Sequence, residues 1–271
     1  MSVGAVRGAP NCSTMSASAF GNGEKVALVG ANGVGNTTLL RLISGEATPT
    51  CGTISIDGRL GVMRQLVGTA NDTMTARDLM VSLAPKQLQI AAARLTSAEA
   101  DAVDQPMRYA HALAEWGDAG GYDAEVFWDT CATRAVGLAF VEIADRALRT
   151  FSGGEQKRLA LEALLRSDFD VLMLDEPDNF LHVAGKRWLA DELRRTPKTV
   201  LFVSHDRELL AVTATKVACQ LSNPCQSRYP LADAGRISKC ASTGAWLLIV
   251  RMSCGQADIT HTQSSRARST T

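Results

Sequence analysis

Residues 25–43 read Lys-Val-Ala-Leu-Val-Gly-Ala-Asn-Gly-Val-Gly-Asn-Thr-Thr-Leu-Leu-Arg-Leu-Ile. Lys25–Val29 is a short apolar run of the kind that forms a buried parallel strand. From Thr38 the leucines take helical spacing, and Gly45 marks where that helix should stop. Between the two lies a glycine-rich turn containing Gly30, Asn32, Gly33 and Gly35. A strand, a glycine loop and a helix in that order favour a bound phosphate, because backbone N–H groups and the helix dipole converge at the helix start. The pattern G-x-x-x-x-G-K-[ST] places Gly30 and Gly35 at the glycine positions, with Thr37 at the hydroxyl position and Thr38 behind it. Asn36 stands where that pattern has lysine. Taken by itself, the segment also reads as a glycine turn with no ligand.

Three further segments carry site chemistry. Phe151-Ser-Gly-Gly-Glu-Gln-Lys-Arg158 opens an amphipathic helix with Leu159, Leu161, Leu164 and Leu165 on its apolar side. Ser152 suits the N-cap, and the N–H groups of Gly153 and Gly154 beside it can meet a phosphate. An ordinary capped helix begins in the same way. Val171-Leu-Met-Leu-Asp-Glu-Pro177 is an apolar strand ending in two adjacent acids, which point to opposite sides. Asp175 is a candidate to hold Mg²⁺ together with Thr37, and Glu176 to orient or activate a water. Thr199–Val203 is a third apolar strand and runs into Ser204-His205-Asp206, which puts His205 where open α/β sheets bind ligands. Gln65, just past the strand-like Leu60–Met63, could reach metal or water.

The chain has 271 residues with equal numbers of acidic and basic side chains. That length allows one domain, or one plus an appendage, and the balance points to neither nucleic acid nor membrane. The balance is uneven along the chain: residues 211–271 hold seven Lys and Arg against two Asp and Glu. Seven scattered cysteines form no C-x-x-C pair, which argues for reduced thiols and a cytoplasmic setting. No segment reads as a signal peptide. The longest apolar run, Ala245–Val250, is far shorter than the roughly 20 residues of a membrane helix.

Together these segments resemble an ATP-binding cassette (ABC) domain, most closely of the ABC-F class. Residues 30–38 resemble Walker A, Gln65 the Q-loop, Phe151–Arg158 the signature and Val171–Glu176 Walker B; Ser204-His205-Asp206 resembles the switch histidine segment. Asp175–Leu181 is similar to the ABC-F run D-E-P-T-N-H-L-D, and Ala112–Tyr122 to its helical stretch ahead of the signature. The resemblance covers about residues 20–210 and implies a P-loop α/β fold with a mainly parallel sheet, flanking helices and a helical subdomain at about 73–150. It also implies ATP and Mg²⁺ as ligands. Ser152–Gly154 would complete the site of a second cassette, supplied by a homodimer or a separate chain, and His205 would contact the γ-phosphate. The ribosome is a further partner of this class. The ATPase subunit of a membrane transporter and a degenerate, non-catalytic cassette are the competing readings.

The chain departs from that pattern in several places. Asn36 loses a charge-assisted hydrogen bond of roughly 1.5–3 kcal/mol. Residues 1–19 contain no aromatic side chain to stack an adenine, and Phe20 is spaced as a core residue. Phe180 and His182 stand where His and Asp are expected, and there is one cassette where ABC-F chains carry two. The ordered domain is expected over 20–216. Helices are expected at Ala76–Leu83, Ala91–Ala102, Pro106–Trp116, Tyr122–Val136, Ala184–Arg195 and Arg207–Leu210, with a strand at 52–58. The first 19 residues are poorly defined. Residues 217–271 show no sustained period and read as a disordered basic extension, or as a segment under no folding selection such as follows a frameshift near residue 216.

Overall fold

Apolar runs without alternation require a sheet covered on both faces, and the computed structural model has one. It describes residues 21–30, 36–48, 54, 56–64, 73–221, 237–239 and 246–251. In chain order these form β1 (Lys25–Gly30), α1 (Asn36–Ile43), β2 (Leu60–Met63), α2 (Ala76–Leu83), α3 (Lys86–Glu99), α4 (Pro106–Asp118), α5 (Gly121–Val136) and α6 (Phe140–Ile143). There follow α7 (Gly153–Arg166), β3 (Val171–Asp175), α8 (Val183–Arg195), β4 (Thr199–Val203), α9 (Arg207–Thr213), β5 (Lys216–Leu221), β6 (Ile237–Lys239) and β7 (Trp246–Arg251). The sheet order is β2-β3-β4-β1-β5-β7-β6. The first five strands are parallel, and the last two pair antiparallel.

Alternate strand residues feed two cores. Ala27, Leu172, Leu174, Val200 and Phe202 pack with Leu161, Leu164, Leu189, Leu193 and Leu209 of α7, α8 and α9. Val26, Leu28, Met173, Leu201 and Val203 face the opposite way, where Leu40 of α1 meets them. A third cluster lies among α2–α6, around Trp116, Trp128 and Phe140. Leu159 and Ala163 of α7 belong to this third cluster, while Ala160, Leu161 and Leu164 belong to the first. The signature helix is therefore buried nearly all round and joins the helical layer to the sheet. Its Glu162 is fully buried and pairs with Arg134 of α5 at 3.2 Å, Arg158 at 3.5 Å and Arg166 at 2.6 Å.

Several expected elements coincide with the observed ones; others shift for visible reasons. The third helix begins at Lys86 rather than Ala91, because Lys-Gln-Leu-Gln are strong helix formers and Leu88 is buried. It ends at Glu99, before a turn in which the Asp101 carbonyl accepts the N–H of Gln105 at 2.8 Å. The last helix extends to Thr213, whose hydroxyl donates to the Leu209 carbonyl at 2.6 Å. Of the strand expected at 52–58, residues 52, 53 and 55 lie outside the described residues, and of the other four only Ile56 takes a β-bridge; Phe20 and the first 19 residues also lie outside the described residues. Beyond residue 216 the structure differs from the aperiodic segment expected. Lys216–Leu221 pairs parallel with β1, from Val26 opposite Lys216 to Gly30 opposite Gln220. Trp246–Arg251 pairs antiparallel with β5, and Ile237–Lys239 with β7. The expected domain limit at 216 is the first residue of β5.

Candidate functional site

The carboxyl ends of β4 and β3 are level, and β1 runs two residues further. Leu28 and Asp175 both lie opposite Val203, so two strand spacings, roughly 10 Å, separate Leu28 from Asp175. Six residues beyond Gly30, α1 begins at Asn36, with Thr37 and the exposed Thr38 in its first turn. The first N–H groups of this helix have no intrahelical acceptor, and its dipole adds partial positive charge there. At its other end Gly45 takes φ +77°, and the N–H of Glu46 bonds the Arg41 carbonyl at 2.9 Å, as the sequence stop signal requires. Gln65, Asn32, Gly33 and Gly35 lie outside the described residues.

The two acids occupy different environments. Asp175 ends β3 half-buried, and its carboxyl is pushed above the usual carboxylate value by burial first and by the Glu176 charge second; the Lys157 charge opposes both. Glu176 leaves the sheet with φ +47°, a left-handed conformation that costs a non-glycine residue about 1–3 kcal/mol. Its N–H donates to the Val203 carbonyl at 3.0 Å, and its Oε2 accepts from Asn179 at 2.5 Å. Asp178 is buried, and its Oδ1 has no hydrogen-bond partner among the described residues.

The signature segment packs onto the turn that follows these acids. Ser152 and Glu155 form a reciprocal capping box: the Ser152 hydroxyl accepts the Glu155 N–H at 3.2 Å, and the Glu155 carboxylate accepts the Ser152 N–H at 2.8 Å. The Ser152 hydroxyl, which also donates to the Glu155 carboxylate at 2.8 Å, and then the Ser152 N–H hold the Glu155 carboxyl below its usual value. A Cβ on Gly153 would lie 3.0 Å from the Phe180 ring, and one on Gly154 3.1 Å from the Phe180 carbonyl. Glycine at both positions lets Phe180, itself at φ +66°, close over the helix start. Lys157 is a residue of this site that the sequence motifs do not single out. It is fully buried, and its Nζ donates to the carbonyls of Glu176 at 3.0 Å and Asp175 at 3.4 Å. Burial pushes its ammonium below the usual lysine value, and the charges of Asp175, Glu176 and Asp178 oppose that shift.

His205 follows β4 and is exposed. Its neighbours are fixed: the Ser204 hydroxyl accepts the Asp206 N–H at 3.0 Å, and Asp206 caps α9 while bonding Lys186 at 2.6 Å. The structure thus brings Asp175, Glu176, His205 and the start of α1 to one edge of the sheet. A carboxylate and a threonine hydroxyl are hard oxygen donors and suit Mg²⁺. Among the described residues no group of three or more His, Cys, Asp or Glu could hold a metal, so phosphate oxygens and water would complete its shell. The half-buried, like-charged acid pair is the environment in which a cation is favoured.

A family model described as ABC transporter matches residues 16–179. An antibiotic resistance protein of Mycobacteroides abscessus is 48% identical over 203 residues, which cover 73% of this chain and 37% of that protein. The tylosin resistance ATP-binding protein TlrC of Streptomyces fradiae is 36% identical over 209 residues, with the same coverage. ATP-binding cassette sub-family F member 3 of Mus musculus is 32% identical over 208 residues, covering 72% of this chain and 27% of that protein. The chain therefore spans well under half the length of these relatives. Among solved structures, the ATP binding subunit of an ABC transporter shares the fold at a TM-score of 0.52 and 16% identity, covering 80% of this chain and 85% of that one.

Proposed function

Because the chain belongs to the ATP-binding cassette family, and its curated relatives include ABC-F members, we propose that it binds MgATP at the carboxyl edge of its sheet and hydrolyses it at an interface with a second cassette. The observation that supports this reading is the level register of Asp175, Val203 and Leu28, which sets Asp175 two strands from β1, the strand that precedes α1. Thr37 and Asp175 are the residues to hold Mg²⁺, which when bound neutralises phosphate charge. Glu176 accepts a proton from the attacking water or orients it. His205 faces the terminal phosphate, and the helix start at Ser152–Gly154 serves the partner's nucleotide. Asn36 donates a neutral hydrogen bond where the pattern has a cation, so turnover is slow. No helix among the described residues is long and apolar enough to cross a membrane. Two of the relatives are named for antibiotic resistance, and the ribosome is the partner this class implies.

The test is MgATP turnover by the purified chain beside Glu176→Gln and Asn36→Lys. Turnover that Glu176→Gln abolishes supports the enzyme. The second reading, favoured by Asn36 alone, is a non-catalytic cassette; it predicts turnover only after Asn36→Lys. Co-sedimentation with ribosomes in the presence of a non-hydrolysable ATP analogue tests the partner.

A further inference from the structure

We propose that Lys157 is a positioning residue for Glu176, its buried ammonium locking the backbone conformation that aims this acid. The inference rests on the reading of Glu176 as the acid that orients water. The Asp175 carbonyl belongs to the peptide before the Glu176 Cα, and the Glu176 carbonyl to the peptide after it. By bonding both, at 3.4 and 3.0 Å, one Nζ fixes the two planes whose rotations are φ and ψ of Glu176. Those rotations need fixing. Glu176 sits at φ +47° without being glycine, and it precedes Pro177, which restricts it further. Proline also leaves the following peptide no N–H, so the Glu176 carbonyl is the only polar handle on that plane.

Packing does not explain the lysine. Its place on α7, four residues before the fully buried Leu161, is a core position that methionine or leucine would fill without burying a charge. Lys25, the other buried lysine among the described residues, is held by three carbonyls at 2.6–2.8 Å. The bonds of Lys157 are longer, and three acids, Asp175, Glu176 and Asp178, surround its charge. The same helix holds the far end of the turn through Gly153 and Gly154 against Phe180, the second left-handed residue. The signature helix therefore clamps residues 176–180 at both ends, and Lys157 is the clamp on the catalytic side.

Lys157→Met keeps the length and removes the charge. By NMR of the full chain, the Glu176 amide should exchange about tenfold faster, and its strong intraresidue amide–Hα NOE, the mark of positive φ, should weaken. The amides of Leu174 and Phe202 should be unchanged. For MgATP turnover, kcat should fall on the order of 10²-fold with KM held, as expected when a reacting group is displaced. An unchanged Glu176 amide, or equal acceleration of Leu174 and Phe202, overturns the proposal in favour of a packing role. A wild-type chain without turnover overturns the ATPase reading, while the Glu176 amide still decides the role of Lys157.

Discussion

His182 Nδ1 accepts the backbone N–H of Gly185 at 2.9 Å, so an imidazole is the N-cap of α8. The ABC-F pattern has aspartate at this position, and the structure shows that the substitution preserves the cap. A carboxylate would cap equally and would also complement the helix dipole. His182→Asp is expected to stabilise the fold by about 0.5–1 kcal/mol, and His182→Ala to destabilise it by about 1 kcal/mol. Urea denaturation reads both.

Asn36→Lys should restore a cation at the start of α1. MgATP affinity is expected to rise by about one to two decades, from the roughly 1.5–3 kcal/mol of a charge-assisted hydrogen bond. Turnover should rise by on the order of 10²–10³ if the lysine acts in the transition state. Fluorescent-nucleotide titration and phosphate release measure the two effects separately.

The Lys186–Asp206 ion pair, at 2.6 Å, sets limits to stability at both ends of the pH scale. The hydrogen bond from Lys186 holds the Asp206 carboxyl below its usual value of 3.8. That stabilisation is complete above 3.8 and is lost as pH falls through the depressed value. The hydrogen bond that Lys186 donates to Asp206 holds its ammonium above 10.5; its contribution is complete below 10.5 and is lost as pH rises through the raised value. Melting temperature against pH should therefore fall off less steeply at both ends in Lys186→Met than in the wild type.

Glu162→Leu should be among the most destabilising single changes. The buried carboxylate pairs with arginines on α5 and α7, and Arg158 also lies 3.7 Å over the Trp188 ring of α8. Removing it leaves three guanidinium groups around an apolar side chain, at about 3–5 kcal/mol. Arg134→Met removes a half-exposed partner and should cost no more than about 1 kcal/mol. Guanidinium denaturation of the two variants tests the contrast.

Elements with a continuous apolar run or a clean helical period were legible in the sequence. Leu60–Met63 and Thr199–Val203 are the strands that apolar runs predict, and Ala76–Leu83 is the helix that its period predicts. The acid pair was legible because it ends such a run. Lys157 was not, since a charged residue on a helix reads as a solvated face; its spacing to Leu161 and Leu164, on the core side, was the available signal. The Ser152–Glu155 capping box was written in the sequence at S-x-x-E and went unread. Trp246–Arg251 has the length of a strand, but strand pairing is long-range, and nothing local to it names β5 as its partner.

That pairing has a consequence for where the chain can be cut. β1, which leads into the phosphate loop, is an interior strand because β5 lies beside it, and β5 is interior because β7 does. A truncation at residue 216 would leave β1 as a bare rim of unpaired peptide groups, open to zippering against a second molecule. Such a fragment should precipitate or form fibrils at concentrations where the full chain stays clear, which would mimic a catalytic defect in any assay that does not count particles.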